Sequence, residues 1–382
     1  MNTKPAVTMN GRERMLAAIE GRPLDQYPVM VPYVMLSNAD HWVEVTGEPV
    51  WRFYEWMTAD PVRHAQGYKP FYDAMPFDLF QPWFAAKRAD RENTRVVMRD
   101  GVPYLHDRKG DSLKPVPESI HNAGSGGGEN ETRHIFDVGD IRERIPYESE
   151  SALVEGGVND TLEAVLPLFR DKFCINGGVV NTFYSCVYHV GMENFYCMLK
   201  EEEALVHEMS KRILENNIAY IRAIARAGGD AIYIDDATAT SEMVSVDTYE
   251  TFALPYLTEQ VREIKRLGKK AVLVYFGGIS DRVEQILSTG VDLLVMEASM
   301  KGFVNDYAAI SRQIGQRCCL AGNLNPYDHV EVLPEAALEA EIQRQASAGR
   351  LTGRYVTSTG SPLTPGTSVS RIARLIEMGH RA

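Results

Sequence analysis

The chain is short of the features that announce most ready-made chemistries. Its 382 residues hold five cysteines, Cys174, Cys186, Cys197, Cys318 and Cys319. An odd set without a Cys-x-x-Cys pair predicts reduced thiols and a cytoplasmic setting. Cys174, Cys318 and Cys319 lie in apolar runs and read as core residues. No apolar stretch approaches the roughly 20 residues that a bilayer-spanning helix needs. The opening Met1-Asn2-Thr3-Lys4-Pro5 lacks the apolar core of a signal peptide. Basic charge is short as well: 40 Lys and Arg stand against 52 Asp and Glu, for a net charge of −12. That balance excludes broad binding to nucleic acid or acidic membranes, and leaves room only for a local basic pocket. There is no His-Glu-x-x-His, no Walker phosphate loop and no Gly-x-Ser-x-Gly elbow. No G-x-G-x-x-G turn follows residues 230–236, which weighs against a dinucleotide fold.

What is present is a rhythm. From residue 229 onward a short apolar run, a polar or Gly-containing cluster and an amphipathic helix recur five times. The runs are residues 231–234, 271–274, 293–296, 319–321 and 355–356. Behind them come Asp235-Asp236, Tyr275-Phe276-Gly277-Gly278, Glu297, the segment 322–326 and the segment 357–361. Strands alternating with helices predict a parallel sheet covered by helices. Closed into a barrel, such a sheet collects all five clusters on one rim, where barrel enzymes build their sites.

Further strands are expected at residues 29–34, 77–84 and 173–179, which brings the count to the eight of a (β/α)8 barrel. Helices are expected at 12–19, 49–57, 61–67 and 161–169, and over 185–227 with a break near Lys200. Residues 95–105 alternate around Asp100-Gly101, a hairpin signal. Residues 87–135 read as an excursion from the barrel that partly covers its mouth, with a flexible loop at 124–129. The expected fold is α/β: a single TIM-barrel domain over 1–382 with an N-terminal helical extension.

The strand ends carry the candidate chemistry. Asp235 and Asp236 could ligate a metal, hold a cation or share a proton; alternatively, one caps a turn while the other meets solvent. Tyr275 and Phe276 offer stacking faces and Gly277 a close backbone approach, or simply barrel-top packing. Glu297 puts a carboxylate at the mouth of an apolar strand. Asn323 and Asn325 could bond a ligand or serve turn chemistry. Asp78, inside an apolar run, needs a partner or a shifted pKa. His189 reads as a structural helix histidine.

At these positions the chain resembles the uroporphyrinogen decarboxylase superfamily. Residues 12–28 (RERMLAAIEGRPLDQYP) look like that superfamily's opening helix and approach to strand one. Phe77-Asp78-Leu79 resembles the motif of its catalytic aspartate, and Tyr188 falls where the decarboxylases carry an active-site tyrosine. Residues 320–326 (LAGNLNP) resemble its Gly-Asn signature. The resemblance implies a barrel with its site at the C-terminal rim, and a homodimer.

Departures from the family pattern carry information too. The decarboxylases have an arginine-rich loop after strand one, whereas residues 32–40 (PYVMLSNAD) contain no arginine. A histidine follows a glycine near their C-terminus, where this chain has Ser361 after Gly360. Thiol-methylating relatives bind zinc through a His-x-Cys and a later Cys; Tyr275-Phe276-Gly277 and Ser361 stand there instead. The leading expectation is therefore an enzyme that moves a methyl group from a small methoxylated or methylated substrate to a corrinoid on a partner protein. Asp78, Asp235, Asp236, Tyr188 and Glu297 are its expected catalytic groups, and Tyr275, Phe276, Gly277, Asn323 and Ser361 its expected substrate contacts. If zinc is bound, Asp235, Asp236 and Glu297 are its candidate ligands. The alternatives are a decarboxylase of a small acid or pyrrole-type substrate, and a non-catalytic scaffold.

Overall fold

The computed structural model of the chain describes residues 8–83, 87–117, 135, 137–300 and 302–382. Its strands are β1 (Val29–Met30), β2 (Leu79–Phe80), β3 (Thr94–Arg99), β4 (Val102–Asp107), β5 (Ser112–Pro115), β6 (Phe173–Val180), β7 (Ala231–Asp236), β8 (Lys270–Tyr275), β9 (Leu293–Met296), β10 (Cys319–Ala321) and β11 (Tyr355–Ser358). Eight of them form one parallel sheet in the order β1-β11-β10-β9-β8-β7-β6-β2. The two edges meet where the Asp78 N–H donates to the Val29 carbonyl at 3.0 Å. An α/β barrel wrapped by helices results, as the strand–helix rhythm predicts.

The first two strands are shorter than expected. Pro32 has no N–H to give to a ladder. The chain leaves β1 there and turns through Tyr33, whose φ of 53° is in the left-handed region, into the helix Val34–Asp40. Pro82 likewise ends β2. The hairpin forms around Asp100-Gly101, both with positive φ, as a twisted two-residue turn requires. A third strand, β5, completes its antiparallel sheet. The loop 124–129 lies outside the described residues. The helical stretch after β6 divides into Thr182–Val190, Met192–Glu201 and Glu203–Ala225. None of the described helices is long and apolar enough to cross a membrane.

Side chains alternate across each strand, so the in-register ladders sort residues into two layers. Tyr233, Val272, Val274, Leu293, Val295, Cys319, Ala321 and Val356 belong to the core inside the barrel. Ile232, Ile234, Ala271, Leu273, Tyr275, Leu294, Met296 and Tyr355 belong to the core between sheet and helices. In β6 the pairing steps from Ile175↔Ala231 to Gly178↔Tyr233, so one extra residue is inserted. The bulge turns Gly178 toward Tyr233, where a Cβ would sit 2.6 Å from the ring. Four of the five cysteines are buried, and all five are free.

Candidate active site

The alternation decides which strand-end residues reach the barrel mouth. In β7, Asp235 shares the inward face with Tyr233, and Asp236 takes the outward face with Ile232 and Ile234. Around Asp235 stand Tyr33 from the turn after β1, Tyr233 below it, and Tyr184 from the helix Thr182–Val190. The Tyr33 ring lies edge-on to Tyr233 with centroids 5.7 Å apart, and parallel to Phe276 at 6.0 Å. Four rings and one carboxyl group thus gather at the barrel mouth.

Electrostatics set this carboxyl group apart. Burial pushes Asp235 up to about 7; the Tyr33 hydroxyl pulls the other way, and the Asp236 charge adds to the rise. Burial, followed by the Asp235 charge, pushes the Tyr33 and Tyr233 hydroxyls well above the ordinary phenol range. The Tyr33 hydroxyl and the Asp235 carboxyl group act on each other as a side-chain pair, the hydroxyl facing the carboxylate.

Asp236 does not share this site. Its Oδ2 accepts from Asn181 Nδ2 at 2.7 Å and its Oδ1 from the Ala239 N–H at 3.4 Å, behind the sheet. Burial raises it to about 6, while Asn181, the local N–H groups and Arg282 oppose the rise. Arg282 is fully buried and donates to the carbonyls of Ala239 and Val244 at 2.7 and 2.8 Å. Together, Asp236 and Arg282 hold the loop after β7. The expectation that Asp236 is catalytic is corrected on this ground. Tyr275 is corrected likewise: it faces outward, is fully buried and donates its hydroxyl to the Ala239 carbonyl. Phe276, one residue on, takes the inward face.

Asp78 lies at the other end of the barrel. It precedes β2, and its backbone bonds to Val29 and Phe173, the first residues of β1 and β6. Its Oδ1 accepts from Arg14 at 3.1 Å; its Oδ2 accepts from the Val29 N–H at 2.8 Å and meets His380 Nε2 at 2.8 Å. Those partners tie the opening helix, two strands and the last helix together, so the catalytic role implied by resemblance is withdrawn. In barrels of this kind the N-terminal end carries stability and the C-terminal end chemistry.

Other rim candidates have mixed placements. Glu297 is buried; its Oε2 accepts from the Gly277 N–H at 2.7 Å, and Ser361 Oγ lies 3.4 Å from its Oε1. These contacts tie the ends of β8, β9 and β11. Gly277 has a φ of 100°, and an added Cβ would meet Thr240 at 2.5 Å. Asn323 Nδ2 donates to the Asn305 carbonyl at 2.9 Å, and Asn325 caps the following turn; both bond to the protein's own backbone. Tyr188 is exposed on the outer part of its helix, while Tyr184, one turn earlier, is the tyrosine near Asp235. Zinc finds no fitting ligand set: among the described residues no three His, Cys, Asp or Glu side chains gather as metal ligands. Asp235 and Asp236, on opposite faces of a strand, cannot grip one ion as a pair.

Sequence reasoning missed Tyr33, Tyr233, Tyr184 and Arg282. The period of 2 along β7 was available as a signal for Tyr233, because it places that residue on Asp235's face.

With this geometry in hand, the chain can be compared with known proteins. The profile of the family described as uroporphyrinogen decarboxylase (URO-D) matches residues 126–382. The chain belongs to the URO-D family. Among similar curated proteins are two uroporphyrinogen decarboxylases. That of Chlorobium phaeobacteroides is 25% identical over 247 residues, 63% of this chain and 66% of the relative. That of Coxiella burnetii is 27% identical over 185 residues, 47% and 48% of the two chains. The chain thus spans less than two thirds of these relatives' length. Among solved structures, a methyltransferase from Methanosarcina mazei aligns over 98% of this chain and 99% of its own, with a TM-score of 0.67 and 17% identity. That likeness is one of fold. The URO-D family is a family of enzymes, and the aromatic mouth around Asp235 is this member's candidate active site.

Proposed function

We propose that the protein transfers a methyl group from a small methylated substrate to a corrinoid carried by a partner protein, with Asp235 as general acid. The observation that carries this reading is the Asp235 carboxyl group, held near neutrality beside Tyr33, Tyr233 and Phe276. Displacing a methyl group from oxygen or nitrogen leaves electron density on that atom, and an acid with a pKa near the working pH is well suited to protonate it. Apolar rings exclude water and offer stacking surface. The segment after β1 supplies Tyr33 rather than an arginine, so it brings an aromatic hydroxyl to the substrate in place of an anchor for several carboxylates.

A second reading, decarboxylation of a small acid, draws on the curated relatives. Asp235 would then deliver the proton that replaces CO2. Incubation with Co(I) corrinoid and methylated substrates, followed by the absorbance of methylcorrinoid, tests the first reading. Release of CO2 from a panel of aromatic acids, without methyl transfer, would favour the second.

A further inference from the structure

An acidic chain leaves room for a local basic pocket, and the fold builds one at the N-terminal end of the barrel. A cleft of about 460 Å³ opens there, beside the first residues of β6 and β7. That volume is ordinary for a small-molecule site. Its charged lining is Arg12, Arg170 and Lys172 with Glu163 and Asp230. Asp230 is already engaged: its Oδ1 accepts from Arg12 Nε at 2.8 Å and its Oδ2 from the Cys174 N–H at 3.0 Å. Arg170 and the half-buried Lys172 make no ion pair among the described residues. Behind them Lys269 Nζ donates to the Gly228 and Gly229 carbonyls at 2.5 and 2.9 Å. Four cations therefore face two carboxylates, in a chain whose net charge is −12.

The backbone adds to this. Gly228 and Gly229 line the same cleft, both with positive φ, 106° and 63°. Lys269 takes their carbonyls, and among the described residues neither N–H has an acceptor in the protein. Successive N–H groups in such conformations, close to cations, favour anions. Leu166, Pro167 and Phe169 give the cleft an apolar wall.

We infer that this cleft binds a phosphate monoester carried on a flat apolar body, an anion of nucleotide size. Arg170 and Lys172 hold the phosphate oxygens through charge-assisted hydrogen bonds, and the apolar body rests against Leu166, Pro167 and Phe169. Glu163 opposes the anion, and the two unpaired cations outweigh it.

The site is separate from the mouth. Asp230 precedes β7 and Asp235 lies near its far end, five residues or about 16 Å along the strand. Binding here is independent of the reaction at Asp235. In barrels of this kind the N-terminal end governs stability, so a ligand at this end is read in the melting temperature.

Calorimetric titration of the full chain with adenosine monophosphate tests the proposal, beside adenosine, which keeps the flat body and lacks the phosphate. The monophosphate should bind one to one, raise the melting temperature and exceed adenosine in affinity by about 10-fold or more. Its affinity should fall as NaCl rises from about 50 to 300 mM. Arg170→Ala and Lys172→Ala should each weaken it about 10-fold, Lys172→Glu should abolish it, and Lys172→Arg should keep it. Melts without ligand confirm that the variants fold. Three results would overturn the site: no saturable binding up to about 10 mM, adenosine binding as tightly as its monophosphate, or unchanged affinity in a variant carrying both Arg170→Ala and Lys172→Glu.

Discussion

Asp235 and Asp236 are consecutive in sequence and lie on opposite faces of β7, one in the barrel mouth and one behind the sheet bonded to Asn181 at 2.7 Å. Isosteric amides should therefore separate their roles. Asp235→Asn is expected to slow turnover about 10²–10⁴-fold, the usual contribution of a general acid, with the fold intact. Asp236→Asn presents an amide in place of the acceptor that receives Asn181 and the Ala239 N–H. It should lower stability by about 1–3 kcal/mol and affect turnover only through loss of folded protein. Single-turnover rates beside urea denaturation curves check both outcomes.

Asp235 also predicts how stability depends on pH. Its ordinary value of 3.8 is raised to about 7 in the folded chain, so the native state binds more protons than the unfolded state between those values. Stability from this group is complete below the unfolded value and is lost as pH rises through the folded one. Asp235→Asn cannot ionise and escapes that loss. Relative to wild type it should gain on the order of a few kcal/mol between about pH 4 and pH 7, read as a difference in melting temperature that widens with pH. Identical wild-type and variant pH profiles would show that Asp235 titrates normally.

Asp78 gives the converse test. Its oxygens serve Arg14, the Val29 N–H and His380 at the stability end of the barrel. Asp78→Ala leaves Arg14 paired with Asp25 alone and takes the acceptor from the buried Val29 N–H and from His380, and should cost about 1–3 kcal/mol. Chemistry should be untouched per folded molecule, because the residue is at the end of the barrel away from Asp235. A melting curve beside a rate corrected for the folded fraction decides it. An equal loss of rate at unchanged stability would restore the catalytic role that resemblance implied.

These contrasts show why sequence reading went as far as it did. Apolar runs broken by polar clusters report strands and their ends directly, so the barrel and its rim were legible from residues 231–358. Whether a rim residue faces in or out depends on where its strand begins and on bulges such as the one at Gly177. That is why Tyr275 and Asp236 were grouped with Phe276 and Asp235. Asp78 was misplaced because β2 is only Leu79–Phe80, too short for its pattern to reveal which end carries the carboxylate. Tyr33 was passed over because its importance lies in contacts with Tyr233 and Phe276, some 200 residues or more away along the chain.

Gly178 offers the most economical test of how the mouth is assembled. The bulge in β6 aims it inward, and the missing Cβ is what lets the Tyr233 ring lie against the strand; an alanine there would place its Cβ 2.6 Å from that ring. On one side the ring meets Tyr33, which packs edge-on against it. Overpacking of a filled core typically costs about 1–3 kcal/mol, which sets the expected loss of stability for Gly178→Ala. A displaced Tyr233 should also move Tyr33, and with it the hydroxyl beside Asp235. The variant should therefore lose turnover per folded molecule even at temperatures where it is fully folded. Single-turnover rates well below its melting point check this, with Gly268→Ala as the comparison, because that glycine has φ 73° and no neighbouring atom within 4 Å of an added Cβ. Backbone strain alone should lower the stability of the comparison variant and leave its turnover unchanged, whereas coupling through Tyr233 and Tyr33 makes Gly178→Ala lose both.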